Sequence, residues 1–254
     1  MFSRRLVLAG LAAIPALLEN KLLHAEEAPA ETGDIVELAY PPFGDLNPER
    51  PFGSTPPDDA QRKKVEKIIA ETPMGPTPVA IALSFAQRFA ISDPKAISQW
   101  PGNEPWNPLV VTFFQSTSTA ANNDMVPWCA AFANWCIDRA GKHGTRSASS
   151  QSFVDKNAER YFIRTNSPDA GDLVVFTCYR PGTEDSFGLG HVAFLTGKPS
   201  ADSIPTVSGN TSKDGRYSII AERPFSAKPQ TVYRTVNGVR TQTTMKVNSY
   251  LRIA

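Results

Sequence analysis

The sequence contains few of the residues that build metal centres or disulfide frameworks. Its 254 residues include only three cysteines and three histidines. Small secreted domains held together by disulfides use cysteine far more densely, and a structural zinc site needs about four closely spaced cysteine or histidine ligands. We therefore expect neither a metal nor another cofactor.

The sequence also has no clear excess of charge of either sign. It contains 26 basic and 25 acidic residues, with a formal net charge of +1. Domains that bind nucleic acid or anionic membranes usually carry a marked basic excess. This balance argues against both kinds of partner. We expect the protein to be a monomer.

A hydrophobic run that spans a bilayer is missing from the N-terminus. The apolar stretch there, residues 6–18, is shorter than the roughly 20 residues that cross a membrane. It follows Arg4 and Arg5 and precedes Ala25, an order typical of a cleaved signal peptide. The arginine pair fits a twin-arginine signal and the general secretory route equally. The sequence thus predicts a signal peptide over residues 1–25 and export to the periplasm or the extracellular space, without membrane attachment after cleavage.

Proline is abundant between this signal and the first predicted helix. Residues 26–57 are rich in proline and have little periodic hydrophobicity, which predicts a linker or arm. Residues 58–254 are expected to form one domain.

Apolar periodicity changes along this domain. Helical spacing predicts helices from Asp58 or Asp59 to about Thr72, from Pro78 to Phe89 with Thr77 as cap, from Asn107 or Pro108, and from about Pro127 to Ala140. Strand patterns follow at 171–179, 191–197, 203–207, 217–221 and 248–253, and Asn237-Gly238 predicts a hairpin between 231–234 and 239–241. Helices followed by strands are typical of the α+β class, with N-terminal helices packed on a C-terminal antiparallel β-sheet.

Pro127-Trp128-Cys129 predicts a cysteine at the first turn of an apolar helix. Pro127 suits the first helical position, because its missing N–H costs nothing there. The unpaired N–H groups of that turn would point at the Cys129 sulfur and favour its thiolate. The alternative is an inert core residue, since cysteine is among the most buried residue types.

A cysteine nucleophile needs an imidazole that moves a proton to the leaving amine. His191, which begins a predicted strand after Gly190, is the candidate for this role. On the alternating strand it shares a face with Ala193 and Leu195. His143, in a polar loop after the cysteine helix, is a weaker candidate.

A third group has to orient the imidazole. Asn210 is the candidate, because its side-chain oxygen can accept a hydrogen bond from Nδ1 of the imidazole. A turn role for Asn210 is equally consistent with the sequence Gly209-Asn210. Asp172 and Asp202 stay open as alternatives.

Several motifs in order resemble the CHAP and NlpC-type cysteine peptidoglycan hydrolases. They are residues 127–136, Gly144-Thr145 with Ser147-Ala148, residues 171–176, residues 190–194 and Gly209-Asn210. The resemblance covers about residues 78–254. It implies a papain-like fold and a site in which Cys129 is the nucleophile, His191 the base and acid, and Asn210 the orienting residue.

The sequence departs from this family at two places. Family members usually read Gly-Gly-Asn-Gln around the third residue, whereas this chain has Ser208-Gly209-Asn210-Thr211. Residues 222–247 resemble an insertion before the last strand, in a position to cover the cleft.

The resemblance and the predicted export together imply an exported cysteine amidohydrolase or endopeptidase. It would cleave amide bonds of peptidoglycan peptides through a Cys129 thioacyl intermediate, so peptidoglycan or its fragments are the expected partner. Two alternatives keep the same fold: a catalytically silent wall-binding or interaction domain, and an acyl transferase with the same nucleophile. Cys136 and Cys178 are expected either as a disulfide or as two buried thiols.

Overall fold

Helices come first along the part of the chain that the structure describes. This computed structural model describes residues 55–100, 104–212, 218–236 and 239–254. Helix α1 spans Asp59–Ala70, α2 Pro78–Phe89, α3 Pro108–Phe113 and α4 Cys129–Arg139, with short 3-10 helices at Pro94–Ile97, Phe114–Ser116, Ser150–Val154 and Lys156–Ala158. None of the described helices is both long and apolar enough to cross a membrane. The predicted signal peptide, most of the predicted linker and the Asn237-Gly238 turn lie outside the described residues.

Side-chain caps fix where the first three helices begin. Asp58 accepts a hydrogen bond from the Gln61 amide at 2.7 Å, and the Gln61 side chain accepts one from the Asp58 amide at 2.8 Å, which completes a capping box. Thr77 caps α2 and Asn107 caps α3, each just before a proline at the first helical position. The predicted starts of these three helices are confirmed.

A seven-stranded sheet follows the helices. Its strands are β1 Phe162–Arg164, β2 Leu173–Tyr179, β3 Ser186–Leu195, β4 Ser203–Ser212, β5 Ser218–Ser226, β6 Gln230–Val236 and β7 Val239–Ile253. The order is β1-β7-β2-β3-β4-β5 with β6 beside β7, and neighbouring strands are antiparallel. The predicted α+β class is confirmed.

The predicted insertion is part of this sheet. Residues 222–247 form the end of β5, all of β6 and the first half of β7, which is one continuous strand to Ile253. The expected hairpin is confirmed by the pairing of Val236 with Val239. Val232 and Met245 of the hairpin are buried in the second core, which the hairpin therefore helps to complete. Coverage of the cleft by these residues stays a prediction.

The two faces of β3 belong to two different apolar cores. Val192 and Phe194 pack with the four α-helices in the first core, whereas Ala193 and Leu195 belong to the second core. The second core also contains Val174, Phe176, Cys178, Ile204, Phe225, Val232 and Met245. This division follows from the alternation of side chains along a strand.

Candidate active site

Cys129 is the first residue of α4 and is 5% exposed. The N-cap is Trp128, whose side chain makes no capping hydrogen bond. The positive end of the helix dipole therefore lies at the cysteine, and Trp128 offers no capping oxygen to neutralise it. The helix begins two residues after the predicted start of about Pro127, because Trp128 has φ −125° and ψ 9° and stays outside the helix, whereas the predicted place of Cys129 in the first turn is confirmed.

The side chain of Trp128 is fully buried and joins α4 to β4. Its ring stacks on Phe113, with centroids 5.9 Å apart, and meets Phe132 edge-on. Gly209 lies so close that a β-carbon at this position would overlap the indole ring. The residue before Cys129 therefore touches the residue before Asn210, which brings these two parts of the predicted site together.

Buried hydrogen bonds hold the loop that leads into α4. Nε1 of Trp128 donates to Oγ of Ser218 at 2.9 Å, and this hydroxyl donates to Oε1 of Gln99 at 3.0 Å. The Gln99 side-chain amide donates to the main-chain oxygen of Asp124 at 2.7 Å. All four residues are at most 2% exposed. These hydrogen bonds thus hold residues 124–128 at both ends.

Asp124 is a buried carboxyl group at the start of this loop. Its Oδ2 accepts hydrogen bonds from the main-chain N–H groups of Trp100 at 2.9 Å and Asn107 at 2.8 Å. Its Oδ1 has no hydrogen-bond partner within the described residues. Burial raises the pKa of Asp124 to about 6, although the main-chain hydrogen bonds act in the opposite direction.

His191 is fully buried and faces the second core. Its ring centroid lies 5.3 Å from that of Phe225, and Ala193 on the same face also belongs to the second core. Cys129 belongs to the first core, together with the helices. The predicted face of His191 is confirmed, but this face is not the one against which α4 packs.

Burial also keeps the imidazole of His191 neutral. Loss of hydration lowers its pKa to about 3, and the positive charges of Arg234 and Arg223 act in the same direction. At neutral pH the ring therefore carries a single N–H and is a weak base.

The hydrogen bonds of His191 differ from those expected. Nε2 lies 3.0 Å from Oγ of Ser208, which lies 2.7 Å from Oγ1 of Thr211. Nδ1 has no hydrogen-bond partner among the described residues. The expected bond from Nδ1 to Asn210 is therefore not formed.

Asn210 lies in a bulge of β4 and is 3% exposed. The register between β4 and β5 shifts between Ser208 and Thr211, and Asn210 has φ 57°. Asparagine tolerates this left-handed conformation better than most residues. The bulge brings the hydroxyls of Ser208 and Thr211 together, and the catalytic role of Asn210 stays a prediction.

The alternative site residues have partners of their own. Asp172 forms an ion pair with Arg252 at 3.1 Å, and the exposed Asp202 forms one with Lys228 at 2.6 Å. His143 is exposed, and its ring lies 5.6 Å from that of Tyr161. None of the three hydrogen-bonds to His191 in the described structure.

Cys136 and Cys178 are buried on opposite sides of the sheet. Cys136 lies in the first core and Cys178 in the second, and no disulfide joins them. The expectation of two buried thiols is confirmed and that of a disulfide is wrong. Burial holds the pKa of Cys136 well above its ordinary value, as expected of an inert thiol. The described residues contain no group of His, Cys, Asp and Glu side chains that could hold a metal ion.

Three residues near the candidate site were not found from the sequence. Gln99 and Ser218 lie in no recognisable motif, and they are 119 positions apart, so local pattern gives no signal for their contact. Ser208 could have been predicted, because side chains alternate along a regular strand and residues 208 and 210 of β4 would then share a face.

A segment of the chain that contains the predicted site residues matches a protein-family model. Residues 121–210, about a third of the chain, match the model of the CHAP domain. The matched segment contains α4, β2 and β3 and ends at Asn210. No curated protein and no solved structure matches the chain. The resemblance to CHAP domains inferred from the ordered motifs is confirmed over this segment.

Proposed function

We propose, from the CHAP domain at residues 121–210, that this protein is an exported cysteine hydrolase of amide bonds in peptidoglycan peptides. A CHAP domain indicates a function of the peptidoglycan hydrolase or amidase type. One observation carries the finer assignment: Cys129 is the first residue of α4, behind an N-cap that offers no capping oxygen. The N–H groups of the first turn favour a thiolate at that position.

The proposed reaction passes through a thioester on Cys129. His191 takes the thiol proton, the sulfur attacks the carbonyl carbon, and the carbon–nitrogen bond breaks as the amine leaves with the proton from the imidazolium. Water then attacks the thioester and gives a proton to His191. The carboxylic acid product leaves, and the thiol regains its proton. N–H groups at the start of α4 stabilise the oxyanion in both steps.

This mechanism requires His191 to turn away from the second core. Catalytic hydrogen bonds often become aligned only when substrate is bound. The ring is neutral before it turns, and leaving the second core would remove the burial that lowers its pKa and makes it a weak base there. Ser208, which contacts His191, lies two residues before Asn210 on β4, and this proximity supports Asn210 as the residue that orients the turned ring.

The remaining parts of the proposal concern where and in what form the protein acts. We propose a papain-like arrangement, removal of residues 1–25 on export, and a monomer in the periplasm or outside the cell. The abundant amide polymer in that location is peptidoglycan, which agrees with the substrate class of CHAP domains.

A second candidate is a wall-binding domain without turnover. The observation that favours it is the placement of His191, which is fully buried against Phe225 in the second core while Cys129 lies in the first core. If the ring never leaves this position, no imidazole reaches the thiol. Such a protein would bind peptidoglycan without releasing fragments.

Mass spectrometry of muropeptides after digestion of purified peptidoglycan separates these functions. The mature protein is expected to release fragments with a new amine and a new carboxylate, and their masses identify the cleaved bond. Cys129→Ala is expected to release none, whereas the matched control Cys136→Ala, in the same helix, is expected to keep activity.

Three other outcomes would decide against the proposal. Release by Cys129→Ala equal to that of the unmodified protein would overturn the role of the thiol. Binding without release would favour the wall-binding domain. Products joined to an added amine would identify an acyl transferase.

A further inference from the structure

The loop before Cys129 is fixed by side chains from outside the segment that matches the CHAP domain. Gln99 precedes this segment and Ser218 follows it. Ser218 is the first residue of β5, and its main-chain oxygen accepts a hydrogen bond from the Gln99 amide N–H at 2.8 Å. The two residues are therefore joined by main-chain and side-chain hydrogen bonds, and together they form a rigid support.

Gln99 and Ser218 contact the two ends of the loop that leads into α4. Ser218 accepts the indole N–H of Trp128, the residue directly before Cys129. Gln99 donates to the oxygen of Asp124 and also lies 3.4 Å from the sulfur of Met125. Because the loop is held at both ends, its main chain cannot shift without breaking a buried hydrogen bond.

The hydroxyl of Ser218 is the central group. It donates to Gln99 and accepts from Trp128, so one oxygen completes both bonds. Loss of this hydroxyl leaves a buried indole N–H without an acceptor, an arrangement that proteins rarely tolerate without movement. Movement of Trp128 would change the direction in which the first turn of α4 presents its N–H groups to the Cys129 sulfur.

We propose that Gln99 and Ser218 are positioning residues for the nucleophile, acting through Trp128 to hold the start of α4. They touch neither substrate nor reacting atoms in this assignment. The inference rests on the proposed function of Cys129, and it adds a requirement for residues outside the CHAP segment.

The first test is the alkylation rate of Cys129 by iodoacetamide between pH 5 and 9, with the modified residue located by mass spectrometry. Ser218→Ala is expected to lower the rate at pH 6 about 3- to 10-fold and to move the midpoint of the pH profile upward, since the contribution of a helix N-terminus to a nearby anion is of this order. Cys136 and Cys178 are fully buried and serve as internal controls.

A double-mutant cycle with Trp128→Phe tests the proposed route. Trp128→Phe removes the indole N–H but keeps an aromatic ring beside Phe113. If Ser218 acts through Trp128, adding Ser218→Ala to this variant is expected to change the alkylation rate less than twofold. Additive effects of the two substitutions would overturn the route.

Thr206→Val is a matched control for the loss of a buried hydroxyl. Thr206 is fully buried on β4 and donates to the main-chain oxygen of Arg223, with no link to Trp128. Its alkylation profile is expected to equal that of the unmodified protein. An equal loss in Thr206→Val and Ser218→Ala would show general destabilisation and overturn the proposal.

Hydrogen exchange tests the positioning role of Ser218 independently of the proposed hydrolase function. Ser218→Ala is expected to speed amide exchange in residues 124–136 at least tenfold, with exchange in β2 unchanged. If Cys129 of the unmodified protein reacts no faster than an ordinary thiol, the proposed hydrolase function is contradicted. The exchange rates still test whether Ser218 holds the start of α4. Unchanged exchange in Ser218→Ala would overturn it.

Discussion

The indole ring of Trp128 occupies the space in which a β-carbon at Gly209 would lie. A β-carbon there would also come within 2.9 Å of Cβ of Phe132. Glycine at this position therefore sets how closely α4 approaches β4. Since Trp128 precedes Cys129 and Gly209 precedes Asn210, this one contact controls the spacing of the candidate site.

Gly209→Ala is expected to lower the free energy of unfolding by about 1–3 kcal/mol, the usual effect of adding atoms to a packed core. Urea denaturation followed by tryptophan fluorescence measures this change. Gly197→Ala is the control, because a β-carbon there meets only Pro205 at an ordinary 3.4 Å. Equal stability of Gly209→Ala and the unmodified protein would contradict the close packing.

Asp124→Asn is expected to change how stability depends on pH. The carboxyl pKa is raised from 3.8 to about 6 in the fold, so the native state binds more protons than the unfolded state between these values. Asp124 therefore makes stability fall as pH rises from about 4 to 6, by up to about 3 kcal/mol.

The asparagine variant has no such titration. Its free energy of unfolding at pH 7.5 is expected to match or exceed that of the unmodified protein, and its side chain can still accept from Trp100 and Asn107. Urea denaturation series at pH 4.5, 6 and 7.5 measure the change. A variant with the same pH dependence between pH 4.5 and 6 as the unmodified protein would show that Asp124 does not titrate as described.

His191→Gln is expected to have the opposite effect on the pH dependence. The imidazole pKa is lowered from 6.5 to about 3 by burial, so the unfolded state binds more protons between these values. His191 therefore makes stability rise with pH and is a source of acid lability below about pH 6.5.

Glutamine removes this titration, so the free energy of unfolding of His191→Gln is expected to fall as pH rises from 4.5 to 6, because the opposed contribution of Asp124 remains. The same denaturation series at three pH values applies. Combining His191→Gln with Asp124→Asn should remove both opposed contributions. If the single variant keeps the pH dependence of the unmodified protein, the imidazole is not buried as described.

Asn134→Ala is expected to destabilise the loop after α4. The buried amide of Asn134 donates to the main-chain oxygens of Ala130 at 3.0 Å and Ser147 at 2.9 Å, and its oxygen accepts from the Arg146 amide at 3.2 Å. We expect a loss of about 2–4 kcal/mol, because more than one buried polar group loses its partner. Thermal unfolding compares this variant with Asn122→Ala, an exposed control whose melting temperature should not change.

Local pattern predicted most of the helices and strands. The caps at Asp58, Thr77 and Asn107 could be predicted from the sequence. Short polar side chains before an apolar periodic segment accept hydrogen bonds from the unpaired N–H groups of the first helical turn. The start of α4 was misplaced because Pro127 carries the usual signal for a first helical residue, while burial of the Trp128 ring, a tertiary effect, decides where the helix begins.

The orientation of His191 could be predicted only in part. Alternation gives its companions Ala193 and Leu195, but both faces of β3 are apolar, with Val192 and Phe194 on the other side. Which face of β3 packs against the cysteine helix therefore depends on how the β6–β7 hairpin packs, and the local sequence pattern does not predict that packing. The same holds for Gln99 and Ser218, whose contact forms only when distant segments come together.

The separation of Cys136 and Cys178 by the sheet has a consequence for where the chain can fold. No covalent cross-link ties the two sides of the molecule, so apolar packing and hydrogen bonds alone hold the described fold. Oxidising conditions are therefore not needed to complete it, unlike the case of disulfide-dependent secreted domains. The proposed export therefore places no requirement for disulfide formation on this fold.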